Sequence, residues 1–154
     1  MGDIISKKNL VTGVSGFIGS NLLRTWMHKK NTLGYPYQIR CITRNKKSMD
    51  SLKVNDKDIE ILEGDLSNYD DCLKALEGVD VAYFLVHSME GSTKKWKEFS
   101  EKEKTVAENF MRATTQCNVK RIIYLGGLIH AKDDTKSQHM LSRKIVGESF
   151  KIRS

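Results

Sequence analysis

The chain has 154 residues, 39% of them apolar and 29% charged, and a net charge of +7. That length supports one domain with a real core and is short for two, and the composition is that of a globular protein, not a disordered one. No apolar run approaches the roughly 20 residues that span a bilayer, and the N-terminal MGDIISKK lacks the apolar stretch of a signal peptide, so a cytoplasmic location is expected.

Residues 8–12 read as a first strand, followed directly by the segment TGVSGFIGSNLLR. Its glycines, Gly13, Gly16 and Gly19, recur at every third position between an apolar run and a helical pattern. Gly13 suits a tight reversal, Gly16 lets backbone approach a ligand, and Gly19 lets the helix pack close to the strand. The helix runs from about 17 to 30, with Leu22, Leu23 and Trp26 on its apolar face. Its first amides and its dipole point at an anion, for which a pyrophosphate is the natural guest. Glycines at this spacing also precede ordinary helices, so the setting has to decide between the two readings.

The setting is an alternation of strands and helices. Tyr35-Pro36 marks a turn, residues 37–44 a second strand, and 46–57 a polar stretch with a short helix and loop. A third strand follows at 59–65, then a short helix at 69–77 that carries Cys72, Leu73 and Leu76 and ends at Gly78. Residues 79–88, VDVAYFLVHS, are almost continuously apolar, as befits a strand covered on both faces. The longest helix is expected at 96–116, with Phe99, Val106, Phe110 and Met111 among its apolar positions. A fifth strand at 119–127 and a last helix near 138–150 complete a βαβαβαβαβα pattern. Right-handed crossovers make this an α/β, doubly wound parallel sheet of order 3-2-1-4-5 with helices on both faces.

The positive charge invites a nucleic-acid partner, but its distribution argues against one. Lys29-Lys30, Lys46-Lys47, Lys94-Lys95 and Lys102-Lys104 lie in separate segments with acidic residues between many of them, and no basic stripe is interleaved with aromatics. Solvated helix faces and attraction for a polyphosphate cofactor account for the charge. Cys41, Cys72 and Cys117 lie far apart and read as packing residues in a reducing compartment. His28, His87 and His130 have no partners at metal-ligand spacing, so no metal site is expected.

The segments VTGVSGFIGSNLL, EGDLSNYDDCLKALEGVDVAYFLVHSM, VKRIIYLGGL and HMLSRKIVGE together resemble the extended and atypical short-chain dehydrogenase/reductases. Within these they resemble the NmrA-like, NAD(P)H-binding branch of the nucleoside-diphosphate-sugar-epimerase-like proteins, over residues from about 8 to 150. The resemblance implies a Rossmann-like fold and a dinucleotide cofactor. By position it assigns Gly13, Ser15, Gly16, Phe17, Ile18 and Gly19 to the pyrophosphate loop. It gives Asp65 and Leu66 to the adenine, and Leu85, Val86 and His87 to the adenosine ribose and nicotinamide side. Asp65 has a second reading, because Gly-Asp often ends a strand as a turn or helix cap.

The second strand ends Ile42-Thr43-Arg44-Asn45 and is followed by Lys46-Lys47. An NAD site usually places Asp or Glu roughly 20 residues beyond the glycines, to hold the ribose 2′-hydroxyl; no carboxylate stands here. Arg44 suits a 2′-phosphate, and its position resembles the NADP-selecting arginine of related reductases, although a solvated basic turn also fits it. NADP(H) is therefore expected in preference to NAD(H).

Catalysis departs from the family pattern, which is a Tyr-x-x-x-Lys pair with a Ser or Thr at the end of the fifth strand. The Ser/Thr position falls at Gly126 or Gly127, and the pair aligns with His139 and Arg143. An imidazole titrates near neutral pH and can stand in for the phenol, with Arg143 in place of the lysine; equally, His139 reads as an ordinary polar residue near a helix start. The resemblance leaves open an oxidoreductase acting on a small carbonyl or quinone, an epimerase-like enzyme, and a non-catalytic NADP(H) sensor or assembly factor. Relatives add a sixth strand and a substrate region after the last helix, so the sequence is expected to be a fragment lacking the C-terminal substrate region. A fifth strand left uncovered would then favour self-association.

Overall fold

The computed structural model describes residues 7–34, 36–52, 59–86, 96–126 and 138–151. Five strands, β1 (Lys7–Thr12), β2 (Tyr37–Thr43), β3 (Ile59–Glu63), β4 (Val81–Phe84) and β5 (Arg121–Tyr124), form one sheet of order β3-β2-β1-β4-β5. Every pairing is parallel, with Lys7 opposite Tyr37, Ile39 opposite Ile59, Asn9 opposite Val81 and Val81 opposite Arg121. Parallel neighbours need long crossovers, which here contain helices α1 (Phe17–Leu33), α2 (Tyr69–Leu76) and α3 (Trp96–Gln116) and a 3-10 helix at Lys46–Leu52; α4 (Gln138–Lys151) follows β5.

Alternation along the strands divides the core in two. Leu10, Ile42, Ala82 and Phe84 pack with α2, α3 and α4, where Phe110, Leu76 and Ala107 are fully buried. Val11, Ile39, Cys41 and Ile59 turn the other way, toward Leu23 and Met27 of α1 and toward Met49 and Leu52 of the 3-10 helix. Leu22 and Trp26 flank that second core, and the Trp26 ring meets Tyr83 edge-on at 4.8 Å. Burial on both faces is what made the strands read as apolar runs.

The ladders are shorter than the apolar runs. The third strand stops at Glu63, and Gly64 donates one more bond, to the Thr43 carbonyl at 3.0 Å, before Asp65 turns away. The fourth ends at Phe84, although Leu85 beyond it is still buried, because Leu85 packs into the second core after leaving the ladder. The fifth spans only Arg121–Tyr124. Conversely, α1 runs past residue 30 to Leu33, where Gly34 at φ 65° caps it by donating to the Lys30 carbonyl. The turn expected at Tyr35-Pro36 is described only at Pro36.

Two polar devices fix α2. Asn68 caps its start, the side-chain oxygen accepting from the Asp70 and Asp71 amides at 2.9 and 3.3 Å. At its other end the buried guanidinium of Arg40 on β2 donates to the carbonyls of Lys74, Ala75 and Glu77 at 3.1, 2.9 and 2.8 Å, and to Glu60 at 2.8 Å. A cation against a helix C-terminus is favourable, and every carbonyl it meets would otherwise lack a partner. Arg40 thus ties α2 to the sheet, and with it the turn at Asp65 that precedes α2.

Candidate cofactor site

Gly13 sits at the C-terminal end of β1 with φ 67°, and a Cβ there would lie 2.6 Å from the Leu85 carbonyl oxygen. Only glycine satisfies both conditions. A Cβ on Gly19 would collide with the Gly13 carbonyl, so the first turn of α1 lies directly on the loop. Thr12 fastens the loop from below: its buried hydroxyl donates to the Tyr83 carbonyl at 3.0 Å and accepts from the Leu85 amide at 3.0 Å. Gly16, the N-cap of α1, provides no capping side chain, and the first turn holds no acidic residue. The first amides of this 17-residue helix therefore have neither a capping side chain nor an acid of the helix's own first turn beside them.

That cleft has a volume of about 370 Å³. Gly13, Ser15 and Gly16 line its base. Phe17 and Ile18 begin α1 with exposed side chains, 82% and 46% accessible, and are not among the residues that line the cleft. Gly19 is buried behind the loop.

At the β2–β3 end the lining includes Arg44, Asp65 and Leu66. Arg44 follows β2 and precedes a turn in which Asn45 accepts from the Lys47 amide through its side chain and from the Ser48 amide through its carbonyl. Asp65 Oδ1 accepts from the Ser67 amide at 2.8 Å. That bond holds the carboxyl below its usual range, helped by the Ser67 side chain and by the charges of Lys102 and Arg44, and opposed by partial burial. Asp65 is thus a turn-former that also lines the cleft.

The β5–α4 end carries Tyr124 and Arg143. The Tyr124 hydroxyl donates to the Arg143 carbonyl at 3.1 Å, and its ring stacks on Phe150 at 5.0 Å. Burial raises the Tyr124 phenol above its ordinary pKa, Arg143 works against that, and Glu103 adds to it, so the group is a proton donor at neutral pH. The Arg143 guanidinium reaches the Gly126 carbonyl at 3.4 Å. Where the reductase pattern has a hydroxyl side chain, Gly126 has none, and Gly127 lies outside the described residues.

Of the residues singled out from sequence, Gly13, Ser15, Gly16, Arg44, Asp65, Leu66, Leu85, Val86 and Arg143 converge on one cleft. His87 lies outside the described residues, as does the side chain of His139, whose backbone is in the first turn of α4. Sequence reasoning missed the α3 wall, where Lys102, Glu103 and Val106 line the same cleft. Their i, i+1, i+4 spacing on one helix was the available signal. Among the described residues no cluster of His, Cys, Asp and Glu could hold a metal ion, and no helix is long and apolar enough to cross a membrane.

The family profile described as NAD dependent epimerase/dehydratase family matches residues 9–142. The chain is 27% identical, over 121 residues, to a 3 beta-hydroxysteroid dehydrogenase/Delta 5-->4-isomerase of Mycobacterium tuberculosis, covering 75% of this chain and 30% of that relative. Among solved structures it superposes on the Bordetella bronchiseptica enzyme WbmH in complex with NAD+ with a TM-score of 0.73 at 14% identity, over 96% of this chain and 53% of that one. It superposes on the Citrobacter sp. triphenylmethane reductase complexed with NADP(H) with a TM-score of 0.67 at 20% identity, over 94% and 45%. The chain thus spans under a third of that curated relative and about half of each of these structures.

Proposed function

The chain belongs to the NAD dependent epimerase/dehydratase family, and from that premise we propose that it is an NADP(H)-binding domain that takes part in hydride transfer to a small carbonyl or quinone substrate. The observation that carries the cofactor choice is the end of β2, where Arg44 lines the cleft and no carboxylate stands among Arg44, Asn45, Lys46 and Lys47. An NAD-selecting acid there would repel a 2′-phosphate, whereas a guanidinium pairs with it in two parallel bonds. The base of the cleft fits the pyrophosphate, since Gly16 keeps side-chain bulk off the surface and the amides of α1 supply donors. Asp65 and Leu66 would hold the adenine, and Leu85, Val86 and His87 the ribose and nicotinamide side.

When bound, the nicotinamide supplies the hydride chemistry. The chain's own residues would then orient it and move a proton: the His139 imidazole as acid or base toward the substrate oxygen, and the Arg143 guanidinium as the fixed charge beside it. Titration with NADPH and NADH, followed by ligand fluorescence, tests the cofactor reading. NADPH is expected to bind more tightly by at least about tenfold, and equal or tighter NADH binding overturns it.

A second reading is favoured by one specific observation, the absence of a side chain at Gly126. Without a hydroxyl there, the domain would sense NADP(H) or serve in an assembly without turning it over. NADPH oxidation with a panel of carbonyl and quinone acceptors, lost in His139→Ala, supports the enzyme; tight binding with no turnover supports the sensor.

A further inference from the structure

Besides Arg143 on α4, two cations line the cleft from different elements, Arg44 after β2 and Lys102 on α3. Neither side chain makes a hydrogen bond or an ion pair with another described residue, unlike that of Lys104, which pairs with Glu108 one turn on. Both side chains are exposed, so neither is held in place by packing. Their charges meet at Asp65, where Lys102 acts more strongly than Arg44. That single carboxylate is committed to the Ser67 amide and cannot neutralise both cations. The neighbouring acid on α3, Glu103, acts instead on Tyr124, at the far end of the cleft. Among the lining residues the β2–β3 end thus sets two cations, Arg44 and Lys102, against one carboxylate, with Leu66 and Val106 as apolar neighbours.

Building on the NADP(H) reading above, we propose that Lys102 is a second specificity-determining residue, a cation on the α3 wall that joins Arg44 on the 2′-phosphate. A phosphomonoester carries about −1.5 to −2 charges at neutral pH, so Arg44 alone would leave it only partly neutralised. The guanidinium gives directional, bidentate bonds from one side; the ammonium is a mobile point charge from the other. This division accounts for a lysine of an otherwise solvated helix lining the cleft without an ion pair to another described residue.

The test compares wild type, Lys102→Gln and Lys102→Arg, each titrated with NADPH and NADH. Gln is a good helix former and the site is exposed, so α3 is expected to fold normally, as circular dichroism will show. Lys102→Gln is expected to weaken NADPH about fivefold, the size of one charge-assisted bond discounted for solvent, while changing NADH by less than about twofold. Lys102→Arg is expected to restore most of the loss. Unchanged NADPH affinity in Lys102→Gln overturns the inference, and so does an equal loss for both dinucleotides, which would place Lys102 on the shared adenosine. Should wild type itself bind NADH as tightly as NADPH, the cofactor reading falls first and this inference with it.

Discussion

At the β1–α1 end of the cleft the ligand surface is made by backbone, whereas at the β5–α4 end it is made by side chains. The first end depends on a positive φ at Gly13, on the contact between Gly19 and Gly13, and on a threonine hydroxyl shared between two strand ends. Few residues permit any of these, so the geometry and the sequence are locked together. The second end, among the described residues, depends on what Tyr124 and Arg143 happen to be. A cofactor cradle can therefore persist while the groups at the reacting end are exchanged. The chain pairs its glycine loop with Gly126 at a position where the reductase pattern has a hydroxyl side chain.

The sharpest way to break this contrast is to add one methyl group at each end. Gly13→Ala forces a left-handed φ on alanine and drives its Cβ against the Leu85 carbonyl at 2.6 Å. It is expected to cost about 3 kcal/mol, to lower the thermal midpoint by roughly 6–12 °C, and to abolish dinucleotide binding. At Gly126 the same methyl meets, among the described residues, only the Tyr124 ring edge at 3.3 Å, which shifts by a few tenths of an ångström, and the cost is expected to stay below about 1 kcal/mol. Thermal denaturation of both variants is the measurement. Comparable losses would mean that both ends are equally locked by backbone, and the contrast would fail.

Thr12→Val reaches beneath the loop and sharpens the same point. The exchange preserves shape but removes the hydroxyl that serves the Tyr83 carbonyl and the Leu85 amide. A buried amide left without a partner costs about 1–3 kcal/mol, and the loss is expected in urea denaturation as a lower midpoint with an unchanged slope. Affinity for NADPH should fall as well, because Leu85 carries the carbonyl against which Gly13 turns. A variant with full stability and full affinity would show that the loop holds itself without this clasp.

The legibility of the chain follows the same division. Strand order and helix positions were readable because apolar periodicity and the glycine turn are local signals, and α3 was placed at its observed bounds, Trp96–Gln116. Strand ends were less readable. Leu85 remains buried after the β4 ladder stops, and apolarity reports burial, not pairing. Arg40 reads in sequence as a polar position of a strand; its carbonyl partners lie 34 to 37 residues away, on a helix whose end no local pattern fixes. Lys102 and Glu103 look like any charged pair on a long helix. Only the packing of α3 against its neighbours makes the one face the β2–β3 end while the other acts on Tyr124.

The smallest expected effect is the most informative about the reacting end. Tyr124 is a tyrosine that lines the cleft beside Arg143, so it competes with His139 for the role the missing tyrosine would have played. Its surroundings argue for a structural part: burial holds the phenol protonated, and its hydroxyl is committed to the Arg143 carbonyl. An interior helical carbonyl already accepts an amide, so losing the phenol strands no group. Tyr124→Phe, which keeps the ring stacked on Phe150, is therefore expected to cost about 0.5–1 kcal/mol and to leave NADPH affinity unchanged. Any turnover should survive, reduced at most by a loosened β5–α4 register. Turnover abolished with stability intact would instead move the reacting proton from α4 to β5, and the side-chain end of the cleft would prove as tightly specified by one residue as the backbone end is by Gly13.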